Sequence, residues 1–154
     1  MDNNVILRRL RYNFDFTDAQ MISLFKSAGM EVNRSEVSNW LKKEEDDNFD
    51  KINDKKLATF LNGFIIEKRG KKEGPLPVAE KTLTNNIILR KLKIALNLKD
   101  EDVLEILYAA DMKISKHELS AFFRKSGQRQ YRACKDQVLR NFLYGMQLMY
   151  KNRE

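Results

Sequence analysis

Lys116, Arg124, Lys125, Arg129 and Arg132 crowd into one short stretch of this chain. Guanidinium and ammonium groups set so close together suit one kind of chemistry: they hold phosphates and release their counterions. Within that stretch, Ser126-Gly127-Gln128-Arg129-Gln130-Tyr131-Arg132 contains two arginines and no acid. Tyr131 adds a ring that can anchor the segment to a core or stack on a base. Upstream, Arg90, Lys91 and Lys93 form a second basic edge, suited to tracking a phosphate backbone or to lining a solvated helix face.

Catalytic groups are scarce. His117 is the lone histidine, so no histidine-based dyad, triad or multi-histidine metal cluster can be assembled. The acids of Glu44-Glu45-Asp46-Asp47-Asn48-Phe49-Asp50 lack the alternating ligands and central glycine of an EF-hand loop. No glycine-rich phosphate loop occurs either. The expectation is a protein that is not an enzyme and uses no metal or cofactor. The single cysteine, Cys134, excludes an internal disulfide, fits a reducing compartment and is expected to pack as a small hydrophobe.

The elements that must carry these residues are written twice. Sliding the sequence by 82 positions lays residues 3–70 over residues 85–152 without a gap, and seventeen of the sixty-eight pairs are identical. They include Asn3-Asn4 with Asn85-Asn86, Leu7-Arg8 with Leu89-Arg90, and Phe60-Leu61 and Gly63 with Phe142-Leu143 and Gly145. A match through every loop means that both copies fold alike, because an altered turn needs an altered length.

Each copy reads as four helices and almost nothing as strand. Ile6, Leu7, Leu10 and Phe14 recur at helical spacing over residues 3–14. Thr17-Asp18-Ala19-Gln20, Asn33-Arg34-Ser35-Glu36 and Ser115-Lys116-His117-Glu118 read as helix starts, each a side-chain acceptor followed by a longer polar group three residues on. A fourth helix runs from about Asp54 to Arg69, with Leu57, Phe60, Leu61, Phe64 and Ile65 facing inward. Gly63 and Gly145 stand mid-helix, where each costs about 1 kcal/mol against alanine unless a backbone approaches closely. The expected approach is a contact between the two copies.

The fold class is therefore all-α: two tandem, pseudo-symmetric four-helix units with helix-turn-helix-like elements. The first repeat covers residues 1–70, a linker with both prolines covers 71–81, and the second repeat covers 82–154. In the helix-turn-helix reading the third helix presents polar groups such as Arg34 and Asn39 to base edges. Its turn is two residues longer than usual, and a plain bundle explains the same pattern.

Charge separates the copies. The chain carries a net +7, yet residues 1–70 are balanced at twelve basic and twelve acidic side chains, whereas residues 82–154 hold fourteen against eight. If nucleic acid binds, the candidate contacts are Lys116, His117, Arg124, Lys125, Arg129 and Arg132, with Arg90, Lys91, Lys93, Arg34 and Asn39 beside them. The acidic loop of the first copy would repel phosphate, or would occupy the basic surface of the second copy within or between molecules. The alternative function is a protein-interaction module that takes a partner or itself, without nucleic acid. No apolar run approaches the length of a membrane span, and the polar, acidic start is unlike a signal peptide, so a cytoplasmic location is expected.

The opening Asn3-Asn4-Val5-Ile6-Leu7-Arg8-Arg9-Leu10-Arg11-Tyr12, repeated as Asn85-Asn86-Ile87-Ile88-Leu89-Arg90-Lys91-Leu92-Lys93, resembles the signature of the YehS-like family of bacterial proteins. The resemblance extends to the Phe-Leu-x-Gly element of the fourth helix. It implies a bacterial cytoplasmic protein built from two copies of one domain, and it carries over no catalytic residue.

Overall fold

A computed structural model describes residues 1–151. Eight α-helices occur among them: α1 (Asn3–Phe14), α2 (Asp18–Ser27), α3 (Arg34–Leu41), α4 (Asp54–Arg69), α5 (Asn85–Ala95), α6 (Asp100–Ala109), α7 (Lys116–Phe122) and α8 (Asp136–Met146). The described residues contain no strand. Gln147–Lys151 continues α8 as a π-helical turn.

Local sequence sets the helix ends. The capping boxes at Thr17 and Gln20, Asn33 and Glu36, and Ser115 and Glu118 all form, so two orphan N–H groups are satisfied at each start. The first two helices of each copy end through a left-handed residue, Asp15 and Gly29 in one and Asn97 and Asp111 in the other. The next amide then reaches back to an earlier carbonyl: Phe16 to Arg11, Met30 to Phe25, Leu98 to Lys93 and Met112 to Leu107. Those matched terminations hold the two helix corners of each copy alike.

The chain divides into two units, Met1–Leu83 and the residues from Thr84 onward. In the first, α2 packs on α3 and α4, and α1 on α3 and α4. In the second, α6 packs on α7 and α8, and α5 on α8. The first core is aromatic, with Phe25 between Trp40 and Phe60 at ring separations of 5.4 and 5.2 Å, and Phe14 against Phe64 at 5.1 Å. The second puts Leu107, Phe122, Leu96 and Met146 at the positions of Phe25, Trp40, Phe14 and Phe64.

By its contacts the first unit extends through residues 71–81. Leu76 lies 3.0 Å from where a Gly29 methyl would be, and the Leu83 N–H donates to Asp54 Oδ2 at 2.9 Å. The close approach at Gly63 and Gly145 exists, but its partner is in the same copy. A methyl on Gly63 would overlap the Leu24 carbonyl oxygen of α2, and one on Gly145 the Ile106 carbonyl oxygen of α6. These glycines seat the fourth helix on the second within each unit.

Candidate functional site: a stapled basic loop

Each unit's longest internal connection joins its third and fourth helices, and side chains of the first helix hold it. In the second unit, Asn86 Nδ2 donates to the Phe122 carbonyl at 3.0 Å and to the Arg132 carbonyl at 2.8 Å. Its Oδ1 accepts the Cys134 N–H at 2.9 Å. Asn85 Nδ2 adds the Cys134 carbonyl at 3.0 Å and Asp136 Oδ1 at 2.7 Å. Asn4 and Asn3 do the same in the first unit, to Trp40, Asp50 and Ile52 and to Ile52 and Asp54. Asn4 and Asn86 are 1% and 5% exposed, so these bonds are made where water does not compete.

The loop backbones also match turn for turn. Asp46 N–H to Lys43, Phe49 N–H to Asp46 and Asp50 N–H to Asn39 in the first copy become Gln128 to Lys125, Tyr131 to Gln128 and Arg132 to Ala121 in the second. Phe49 and Tyr131 are half-buried at matched places. One backbone thus carries Glu44, Glu45, Asp46, Asp47 and Asp50 in the first unit, and Arg129 and Arg132 beside Lys125 in the second.

The basic residues singled out from the sequence fall into two groups. Several already have partners: Lys116 Nζ bonds Glu101 Oε1 at 3.0 Å, Lys93 pairs with Asp100 at 3.0 Å, and Arg34 lies 3.8 Å from Asp18. That bond raises the pKa of Lys116 and lowers that of Glu101. Lys93 also stands over the Phe123 ring at 5.0 Å. Arg90 donates to the Phe123 carbonyl at 3.3 Å, as Arg8 donates to the Lys42 carbonyl at 2.9 Å, so these arginines tie the first helix to the end of the third. The Asn39 carbonyl and side chain accept from Asp50 N–H and Lys42 Nζ. Lys91 is half-buried on α5, and His117 is exposed one residue into α7, beside Glu118.

The second group remains available. Arg124, Lys125 and Arg129 make no ion pair among the described residues, and the Arg132 guanidinium donates to the neighbouring Tyr131 carbonyl, at 3.4 Å. Lys125, Arg129 and Arg132 are exposed, and Arg124 is half-buried with its Nε lacking a partner. The structure thus leaves four cations of one loop without an ionic partner, whereas Arg90, Lys93 and Lys116 are engaged in contacts of their own. Cys134, near the end of the loop, is buried, and burial pushes its thiol up to about 12. Among the described residues no three His, Cys, Asp or Glu side chains converge to hold a metal, and no helix is long and apolar enough to cross a membrane.

Sequence reasoning saw the asparagine pairs only as identities. The signal for their role was present in the matched polar residues at otherwise apolar helix starts, but their partners lie 36 to 51 positions away in sequence.

Taken together, the duplicated units define an all-helical tandem-repeat protein with one charged loop per repeat. The family model described as "Protein of unknown function (DUF1456)" matches twice, over residues 3–70 and 85–152. "Uncharacterized protein YehS" of Escherichia coli (strain K12) is 37% identical over 147 residues, covering 95% of this chain and 94% of that protein. The chain belongs to this two-copy, YehS-like family. No solved structure matches it.

Proposed function

We propose that the protein binds nucleic acid through the loop between α7 and α8. The observation that carries this reading is the second copy's cation cluster: Lys125, Arg129 and Arg132 are exposed on a backbone pinned by Asn86, with no counter-charge of their own. Counterion release supplies affinity when such groups meet a phosphate chain, and a pre-ordered loop loses less entropy on binding. The recognition-helix reading has less support, because Lys116 is already paired with Glu101 and Glu118 occupies the first turn of α7.

The test is binding of the full chain to labelled duplex DNA and single-stranded RNA across a salt series. Four phosphate contacts correspond to a slope of about −3.6 in log K against log salt for duplex DNA. A folded variant with Lys125→Glu, Arg129→Glu and Arg132→Glu should lose affinity at least about tenfold. Unchanged affinity in that variant, or no binding by the parent at low salt, overturns the reading.

A further inference from the structure

The two matched loops leave complementary charges unused. In the first unit Glu44, Glu45, Asp46, Asp47 and Asp50 are exposed on the α3–α4 loop, and none forms an ion pair among the described residues. In the second, Lys125, Arg129 and Arg132 are equally exposed and equally without an ionic partner. Within its own unit, each loop's charges are thus left without an ionic partner among the described residues. Their backbones share the same turns and the same asparagine staple, so both present their charges from a fixed platform. Two rigid surfaces of opposite sign on one chain are self-complementary.

We propose that two molecules of this protein pair through these loops, the acidic loop of one seated against the basic loop of the other. A pairing that is reciprocal, with each molecule offering both loops, satisfies all four surfaces and closes at two chains. It goes beyond the nucleic-acid reading and does not depend on it. Where both hold, phosphate and the acidic loop of a second molecule compete for Lys125, Arg129 and Arg132.

The experiment is the molar mass of the full chain in solution, by light scattering, at about 0.05 M and 1 M salt, where the screening length falls severalfold. The expected result is a dimer at low salt whose dissociation constant rises about tenfold or more at high salt. One variant carries Glu44→Lys, Glu45→Lys and Asp47→Lys; Asp46 is spared because its carboxylate accepts the Asn48 N–H at 2.9 Å. A second carries Lys125→Glu, Arg129→Glu and Arg132→Glu. Each alone should be monomeric, an equimolar mixture of the two should form a heterodimer, and the chain carrying both sets should dimerise again. Far-UV circular dichroism confirms that each variant is helical. A parent that is monomeric at low salt, or a dimer indifferent to either reversal, overturns the proposal. So does failure of both the mixture and the double reversal to associate. None of these measurements contains nucleic acid, so loop pairing and nucleic-acid binding can fail separately.

Discussion

At the scale of single residues, two asparagines per copy do the organising. Asn86 satisfies two carbonyls and one N–H that would otherwise be buried without partners, and Asn4 does so in the first unit. Asn86→Ala should cost about 2–4 kcal/mol in urea unfolding, since the orphaned groups stay desolvated. Asn4→Ala should behave alike. Cys134 offers a second readout. Its buried thiol, pushed up to about 12, should react with a thiol reagent at pH 8 far more slowly in the folded chain than in denaturant. Asn86→Ala should speed that reaction, because Cys134 loses the acceptor of its own N–H. The sequence showed these asparagines as repeated letters and gave no means to see what they grip, because a side chain bonding a distant backbone leaves no local pattern.

Elements were far more legible, because their ends are local chemistry. The Thr17, Asn33 and Ser115 starts and the helix-four boundaries can be read from spacing and acceptor type, and the structure has them there. Ser115→Ala should cost about 1 kcal/mol. Glu118 is held below its ordinary carboxylate value mainly by the Ser115 N–H. A depressed folded pKa means that its contribution is full above the unfolded value of about 4.3 and is lost as pH falls through the folded one. Unfolding midpoints measured from pH 6 to pH 3 should therefore fall less steeply in Glu118→Gln than in the parent. The glycines show the limit of this scale. Their cost announces a close approach, but it names no partner, and the partners are Leu24 and Ile106 of the same units. Helix propensity alone predicts that Gly63→Ala and Gly145→Ala stabilise by about 1 kcal/mol. Overlap with a backbone carbonyl predicts a loss of at least about 1–3 kcal/mol, and thermal melting decides the sign.

For the whole molecule, duplication and charge asymmetry could be read directly, since both are arithmetic on the sequence. The contacts of the connecting segment could not, since Leu76 meets Gly29 and Asp54 holds the Leu83 amide. The charge difference sits on loops of equal length and equal turns, which permits an exchange. Replacing residues 126–132 with the sequence of residues 44–50 should leave the helical signal intact and the melting temperature within a few degrees, while abolishing polyanion binding. A chain that unfolds on this exchange would show that loop side chains, and not the staple, set the loop's shape.

Asn86 grips main-chain atoms only: the carbonyls of Phe122 and Arg132 and the amide of Cys134. Main-chain atoms are common to every amino acid, so the grip is indifferent to what the intervening residues display. The first copy already holds Glu-Glu-Asp-Asp where the second holds Ser-Gly-Gln-Arg. In a randomised library over residues 126–130, most variants should therefore still fold, whereas substitutions at Asn86 should be purged. The frame would then serve as a display scaffold, able to acquire new ligands at one address without rebuilding its core.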